Sequence, residues 1–250
     1  MILGIDIGNT TVEFGIIQEN HIVSFKFASD KTKTVDDWLI NIDFVVKKES
    51  PKYVVISSVV PIIEEKLEKA IFKHFGKNPI MIGRDVKVPI KVNYDNPNEV
   101  GIDRLVNVYA GLKISKPPLI VVDLGTAITF DILNDKGEYD GGMIFPGMET
   151  SVDTLFSKTA KLPKVKLEKP ITLIGKNTVG SIQSGIYYGY ISLIEGMIEK
   201  ISDYYQLNFN IILTGGHSSL ISSGLKAKHV LDSNLSMKGI KFLTEEINLV

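Results

Sequence analysis

The chain has no cysteine among its 250 residues, only one tryptophan, and no long uninterrupted apolar run. The absence of cysteine excludes disulfide bonds, thiol catalysis and zinc sites built from thiolates. No stretch approaches the roughly 18 consecutive apolar residues of a membrane-spanning helix. Met1 begins a strand-like run with no basic segment before it, which is a poor secretory signal. These absences predict a soluble, cytoplasmic protein.

An excess of charge of one sign is also missing, because the formal net charge is −1 at pH 7. No global field therefore attracts nucleic acid or an anionic membrane, and we expect neither as a partner. The apolar fraction of 44% and the charged fraction of 23% are typical of a globular protein. A chain of this length forms one large domain or two modest ones.

The most informative feature that is present is a short sequence that occurs twice. The two copies are Ile5-Asp6-Ile7-Gly8-Asn9-Thr10 and Val122-Asp123-Leu124-Gly125-Thr126-Ala127. Each copy lies between two strand-like runs, which predicts a hairpin whose turn displays a carboxylate, a glycine and a hydroxyl. Glycine lets the backbone approach a ligand closely, and turn N–H groups with a threonine hydroxyl suit phosphate oxygens. The repeat indicates a duplicated fold that holds the phosphates of a nucleotide.

Asp6 and Asp123 each follow an apolar strand directly. They are therefore expected at the carboxyl end of a sheet, where open α/β folds bind ligands. A carboxylate beside phosphate needs a cation, and Mg²⁺ held partly through water is the usual one, although a monovalent cation also fits. The alternative is that each aspartate only stabilises its own turn.

The apolar pattern predicts the same plan in both halves of the chain. Each half begins with three strands joined by short turns and continues with alternating helices and strands, which is typical of an α/β lobe. The predicted lobes are residues 1–115 and 116–250, divided near Lys116-Pro117-Pro118. Thr34 and Asp37 form a predicted capping box, Trp38 is assigned to the core, and the longest helix is expected from about Asn177 to Tyr205.

Several motifs along the chain resemble those of one enzyme family. The two turns resemble the phosphate-binding hairpins of the actin-like ATPase superfamily, which includes sugar and acetate kinases. Within it, the motif Gly101-Ile102-Asp103-Arg104 is similar to the Gly-x-Asp-Arg motif of type III pantothenate kinases. Residues 141–147 resemble the family's Gly-Gly-x-Ile-x-Pro-Gly motif, and Thr214-Gly215-Gly216 stands where the family contacts adenosine. The ordered set spans nearly the whole chain, which makes the resemblance specific.

The resemblance implies a duplicated ribonuclease-H-like (actin-like) α/β fold, with two similar lobes and a nucleotide cleft between them. It implies phosphorylation of pantothenate at its primary hydroxyl by ATP, the first step of coenzyme A biosynthesis. It also implies a homodimer that uses ATP with Mg²⁺ and, in addition, a monovalent cation, K⁺ or NH₄⁺.

The resemblance further implies roles for residues of both turns. The residues implied to contact ATP are Asp6, Ile7, Gly8, Asn9, Thr10, Thr11, Val12, Glu13, Thr126 and Gly215. Glu13 stands where some members carry a lysine, so no phosphate-binding lysine is assigned there. Asp123 is implied to hold the monovalent cation rather than Mg²⁺.

The acceptor side is implied to consist of Asp103 as general base and of substrate contacts from Tyr94, Gly101, Ile102, Asp103, Arg104 and Thr178. A loose transition state needs little base strength, so an aspartate that aligns the hydroxyl is sufficient. Each residue also has an ordinary structural interpretation. Asp103 suits the first turn of a helix beside a surface Arg104, Tyr94 precedes an Asn-Pro turn, and Thr178 suits a helix N-cap.

Some alternatives remain open at the level of sequence. Gly185 and Gly189 permit a close helix contact at a dimer interface, or they pack against the sheet. A kinase of the same superfamily with another acceptor, and a regulatory protein that binds nucleotide without catalysis, are competing functions. The preference for ATP over GTP is not encoded in a motif.

Overall fold

Two five-stranded mixed sheets with flanking helices make up the fold. The structure is a computed structural model that describes residues 1–19, 21–47 and 49–247. The elements before residue 115 are β1 (Ile2–Ile7), β2 (Thr11–Ile17), β3 (Ile22–Ala28), α1 (Val35–Val46), β4 (Tyr53–Ser58), α2 (Pro61–Phe75), β5 (Ile80–Met81), a short 3-10 helix (Pro97–Glu99) and α3 (Ile102–Ile114). Those after it are β6 (Leu119–Leu124), β7 (Ala127–Leu133), β8 (Tyr139–Pro146), α4 (Met148–Lys158), α5 (Thr178–Tyr205), β9 (Asn210–Thr214), α6 (Ser218–Ser222), β10 (Val230–Leu231) and α7 (Leu235–Ile247).

The two sheets have the same strand order, which confirms the predicted duplicated α/β fold. The first runs β3-β2-β1-β4-β5 and the second runs β8-β7-β6-β9-β10. In both, the first three strands pair antiparallel, and the other two add in parallel. The antiparallel part follows from the short turns, because a turn of a few residues can only return the chain beside itself.

Successive side chains of β1 point to opposite faces of the first sheet, and each face is covered by helices. Leu3, Ile5 and Ile7 point towards the layer of α1 and α2 and are fully buried there. Gly4 faces the opposite side, where side chains of α7 lie against it. Helix α1 begins with the predicted capping box, in which the Asp37 N–H donates to Thr34 Oγ1 at 3.2 Å and the Thr34 N–H donates to Asp37 Oδ2 at 2.7 Å. Trp38 is buried in this core, as predicted.

The second sheet is covered by the long helix α5. Alternate residues of β6, including Ile120, Val122 and Leu124, share a buried cluster with Tyr187 and Ile194 of that helix. Helix α5 begins one residue after Asn177, close to the predicted start. Among the described residues, no helix is both long enough and apolar enough to cross a membrane.

By its internal packing the chain divides into two compact units. The first comprises residues 1–90, 94–114 and the C-terminal segment from Asn234, and the second comprises residues 91–93 and 115–233. The chain passes from the first unit to the second between Ile114 and Ser115. Helix α7, which the sequence interpretation places in the second lobe, packs in the first unit, because Met237 fills the space over Gly4 and Gly15 of the first sheet.

Candidate functional site

The first repeated turn is held by main-chain hydrogen bonds at the end of β1. The Gly8 N–H donates to the Thr11 carbonyl at 3.0 Å, and the Ser29 N–H donates to the Thr10 carbonyl at 2.9 Å. Asn9 and Thr10 are exposed at the tip. Because the backbone is fixed while the tip faces solvent, this turn can present amide and hydroxyl donors to an anion with little reorganisation.

Asp6 lies just before this turn and has a polar neighbour on each side. Its antiparallel partner is Glu13 on β2, and its parallel partner is Ser57 on β4. The Glu13 carboxylate forms an ion pair with Lys26 Nζ at 3.2 Å, and the Glu13 side chain is only 14% exposed. The positive charge beside position 13 therefore comes from Lys26 on β3, and not from a lysine at position 13.

The second repeated turn is built in the same way at the end of β6. The Gly125 N–H donates to the Ala127 carbonyl at 3.1 Å. The Thr126 carbonyl accepts from the Gly147 N–H at 2.9 Å and from Thr150 Oγ1 at 2.8 Å. A Cβ at position 147 would overlap the carbonyl oxygens of Gly125 and Thr126. The last glycine of the Gly141–Gly147 motif therefore lets α4 close against the turn.

Gly215 packs against the other side of the second turn. Its φ of +91° is in the left-handed region, and a Cβ there would overlap Asp123 Oδ1 and lie 2.6 Å from the Leu124 nitrogen. The His217 N–H donates to the Leu124 carbonyl at 3.1 Å. The structure thus brings together Asp123, Thr126, Gly147 and Gly215, which are far apart in the chain, around one turn of the second unit.

Asp103 is the second residue of α3, and its carboxylate is held in place locally. Oδ1 accepts the Arg104 N–H at 2.8 Å. A Cβ on Gly101 would lie only 2.5 Å from the same oxygen, so the glycine of the motif is needed for this geometry. Burial raises the pKa of Asp103, and the hydrogen bond and positive charge of Arg104 oppose that rise. A carboxylate with a raised pKa accepts a proton more readily.

Val59 connects the start of α3 with the end of β1. The Val59 N–H donates to the Ile7 carbonyl at 3.0 Å, and Val59 Cγ1 lies 3.8 Å from the Cβ position of Gly101. The Gly101–Arg104 motif therefore lies at the carboxyl ends of β1 and β4, the same sheet edge that bears Asp6. This is the edge at which open α/β sheets bind ligands.

The remaining candidate residues have separate surroundings. Tyr94 is 36% exposed and precedes a turn in which the Asn96 side chain accepts the Asn98 N–H at 3.3 Å. The alternative that Thr178 caps α5 is wrong, because the cap is Asn177, whose Oδ1 accepts the Gly180 N–H at 2.8 Å. Thr178 is exposed in the first turn.

The alternative that Gly185 and Gly189 pack against the sheet is also wrong. Both are exposed on α5, and no described atom lies within 4 Å of an added Cβ at either position. The two glycines therefore lie on an open face of the helix.

No cluster of three or more carboxylates or histidines suitable for a metal exists within the described ranges of the chain. Asp6 and Asp123 are each a single carboxylate beside a phosphate-type turn. Mg²⁺ that accompanies a nucleotide is bound by one or two carboxylates together with phosphate oxygens and water, so the residues present fit such an ion.

Two long-range features of the structure were not predicted from the sequence. Gly147 and Gly215 pack against the second turn through backbone contacts between residues that are far apart in the sequence. The glycines in the motifs were the signal that the sequence offered for this packing. The pairing of residues 91–93 with the start of β8, where the Asn93 N–H donates to the Tyr139 carbonyl at 2.8 Å, also had no signal in the sequence, because three residues before a turn do not form a recognisable strand.

Comparisons with known proteins agree with the fold and with the motifs. A family model described as type III pantothenate kinase matches residues 2–200. The chain is 57% identical to a type III pantothenate kinase of a Sulfurihydrogenibium species, over 97% of this chain and 99% of that one. It is 58% identical to the protein of that description from Persephonella marina, over 96% of both chains. A putative 2-dehydro-3-deoxygalactonokinase from Sinorhizobium meliloti shares the fold, with a TM-score of 0.60, 11% identity and 99% coverage of both chains.

Proposed function

The chain belongs to the type III pantothenate kinase family, and we propose that Asp103 is the general base of its reaction. Its activity is the transfer of a phosphoryl group from ATP to pantothenate, in coenzyme A biosynthesis. The observation that supports the role of Asp103 is its position: a partly buried carboxylate at the start of α3, at the same sheet edge as the Asp6 turn.

In this mechanism the Arg104 N–H holds Asp103 Oδ1, and the second carboxylate oxygen accepts the proton of the pantothenate hydroxyl. Transfer of the proton and attack on the γ-phosphorus proceed through a loose transition state, in which orientation matters more than base strength. The burial that raises the pKa of Asp103 also makes it a better proton acceptor than an exposed aspartate. As the new P–O bond forms, the bond between the γ-phosphorus and the β,γ-bridging oxygen breaks and ADP departs with that oxygen. Asp103 then releases the proton to solvent.

The two turns are proposed to bind ATP. Amide groups and hydroxyls of the first turn and the Thr126 hydroxyl would bind phosphate oxygens, and Asp6 would help to hold the Mg²⁺ that accompanies the nucleotide. Gly215 is proposed to contact the nucleoside, because its missing side chain lets the backbone come close. The complete proposed set is Asp6, Ile7, Gly8, Asn9, Thr10, Thr11, Val12, Glu13, Thr126 and Gly215. Mg²⁺ supplies charge neutralisation of the transferring phosphate.

Asp123 is proposed to bind the monovalent cation, K⁺ or NH₄⁺. In the second sheet Asp123 is paired with Thr214 on the parallel strand and with Thr129 on the antiparallel strand, and both of these residues carry hydroxyl oxygens. Oxygen ligands of this kind suit a hard cation.

Pantothenate is proposed to contact Tyr94, Gly101, Ile102, Arg104 and Thr178. Arg104 supplies a planar fork of donors that matches the carboxylate of pantothenate. Its position directly after Asp103 lets one short motif hold both the charged end of the acceptor and its reacting end.

We further propose a homodimer. The exposed face of α5 carries small residues at helical spacing, Ser181, Gly185, Gly189 and Ser192, which allow close approach of a second helix. Light scattering is expected to give twice the mass of one chain. Replacing Gly185 and Gly189 by leucine is expected to give a monomer, and an unchanged mass in the double variant would argue against this face.

We place the enzyme in the cytoplasm, because its reaction consumes ATP and its cysteine-free sequence is compatible with a reducing compartment. Cell fractionation with an antibody tests this location. Recovery of the protein outside the cytoplasmic fraction would overturn it.

The decisive experiment measures ADP production by the purified protein, with and without pantothenate, in K⁺ and in Na⁺ buffers. Activity that requires both pantothenate and K⁺ supports the acceptor and the cation together. Activity on a sugar or a short hydroxy acid, and not on pantothenate, would favour the other kinase. Nucleotide binding without turnover on any acceptor would favour a regulatory protein. Replacing ATP by GTP in the same assay determines the nucleotide preference.

A further inference from the structure

Residues Lys91 to Asn93 extend the second sheet at its edge. The Asn93 N–H donates to the Tyr139 carbonyl at 2.8 Å, and the Tyr139 N–H donates to the Lys91 carbonyl at 2.9 Å. Tyr139 is the first residue of β8, which is the edge strand of that sheet. The short segment therefore satisfies backbone groups of an otherwise open edge, and it is held by the sheet in return.

The side chain of Asn93 strengthens this attachment. Its Nδ2 donates to Glu138 Oε2 and to Asp140 Oδ1, both at 2.9 Å. These two residues flank Tyr139, so one amide group spans three consecutive residues of the strand. Because carboxylates only accept hydrogen bonds, the orientation of the Asn93 amide follows from chemistry.

The two carboxylates are themselves fixed. Lys91 Nζ contacts Glu138 Oε1 at 3.0 Å. Hydrogen bonds from Asn93 and then from Lys91 lower the pKa of Glu138 to about 2, so it stays ionised at any working pH. Asp140 also accepts from Asn134 Nδ2 at 2.9 Å and from the Tyr205 hydroxyl at 3.3 Å. Asn93 is thus bound to a platform built from the β7–β8 turn and from α5.

Tyr94, the next residue, begins the segment that is proposed to bind pantothenate. From Tyr94 to the start of α3, the described secondary structure is limited to the 3-10 helix at Pro97–Glu99. Tyr94 is joined to Asn93 by one peptide bond. The position of Tyr94 therefore depends strongly on where the preceding residue is tied.

We propose that Asn93 is a positioning residue that anchors the acceptor loop, residues 94–101, and thereby sets the affinity for pantothenate. This inference rests on the proposed function, because Tyr94 must contact the acceptor. Asn93 itself touches neither the substrate nor the reacting atoms. Its loss is expected to raise the KM for pantothenate while it leaves the KM for ATP and kcat nearly unchanged.

The experiment compares Asn93→Ala and Asn93→Asp with the control Asn210→Ala. Loss of a hydrogen bond to a charged group corresponds to about a tenfold change in an equilibrium constant, so Asn93→Ala is expected to raise the pantothenate KM about tenfold. Asn93→Asp is expected to raise it further, because a third carboxylate would face Glu138 and Asp140. Asn210→Ala removes a hydrogen bond of the same kind, from Asn210 Nδ2 to the Lys116 carbonyl at 2.8 Å, but leaves the contacts of Asn93 intact, so its pantothenate KM is expected to stay at the wild-type value.

Hydrogen–deuterium exchange of the ligand-free protein measures the attachment of the loop without any acceptor present. Amides of residues 94–101 are expected to exchange faster in Asn93→Ala than in the wild type or in Asn210→Ala. Unchanged exchange, an unchanged pantothenate KM, or an equal rise in the KM for ATP would each overturn the role of Asn93. If the wild type fails to phosphorylate pantothenate, the proposed function fails, and the exchange data alone still decide whether Asn93 anchors the loop.

Discussion

The α-carbon of Gly215 lies so close to the carboxylate of Asp123 that a Cβ at position 215 would overlap Asp123 Oδ1. The two residues are far apart in the chain, and they meet because β9 pairs with β6 in parallel. The turn after β9 therefore forms one wall of the second phosphate-type turn. A side chain at position 215 would both displace the aspartate and require a left-handed backbone.

Gly215→Ala is expected to weaken ATP binding at least about tenfold, since the backbone strain and the overlap together exceed about 1.4 kcal/mol. Gly196→Ala on α5 is the control, because no described atom lies within 4 Å of a Cβ at that position, which is outside the proposed nucleotide site. Calorimetric titration with a non-hydrolysable ATP analogue measures both. Equal affinities for the two variants would remove Gly215 from the nucleotide site.

Asp103→Asn is expected to lower kcat by about 10²–10⁴-fold, the usual contribution of a general base. Asparagine keeps the shape and the acceptor for the Arg104 N–H, so the fold and ATP binding are expected to persist. Asp43→Asn on the exposed face of α1 serves as control and should retain full activity. Turnover at the wild-type rate in Asp103→Asn would show that another group takes the proton.

The raised pKa of Asp103 predicts a dependence of stability on pH. The carboxyl contributes fully to stability below its unfolded-state pKa of about 3.9, and that contribution is lost as pH rises through the higher folded-state value. Asp103→Asn cannot ionise and escapes this loss. The melting temperature of the variant relative to the wild type is therefore expected to be higher at neutral pH than near pH 4. A constant difference across this range would mean that burial does not disfavour the charged form.

Asp123→Asn is expected to abolish the stimulation of activity by K⁺, because a neutral amide holds a monovalent cation poorly. Activity titrated with KCl at constant ionic strength measures the effect. Asp135→Asn, in the exposed β7–β8 turn of the same unit, should keep the wild-type response. A normal K⁺ response in Asp123→Asn would place the cation elsewhere.

Gly239→Ala is expected to destabilise the protein by about 1–3 kcal/mol, the usual effect of overpacking. An added Cβ would lie 2.6 Å from the carbonyl oxygen of Val106 on α3, which cannot move without shifting the helix. At Gly196 on α5 no described atom lies within 4 Å of an added Cβ. Gly196→Ala is therefore expected to stabilise the protein by about 0.4–1 kcal/mol, because alanine lowers the conformational entropy of the unfolded chain. Denaturant unfolding compares the two, and effects of the same sign would contradict the proposed packing of α7 on α3.

Much of the fold could be predicted because its signals are local. The first three strands are joined by short turns, as predicted, and α2 begins at Pro61, a residue type that is tolerated in the first turn of a helix. The capping box at Thr34 and Asp37 depends on residues three apart, and it formed as expected. The repeated turn, read twice, was sufficient to predict a duplicated architecture.

The sequence by itself therefore determined the elements, their duplication and the motifs that identify the family, because each of these depends on neighbours within a few residues. Only the tertiary structure decided that α7 covers the first sheet, that Gly147 and Gly215 close on one turn, and that Asn93 is tied to β8. These contacts join residues that are distant in the chain. Their formation depends on which surfaces remain complementary after the sheets have assembled, and no local pattern encodes that complementarity.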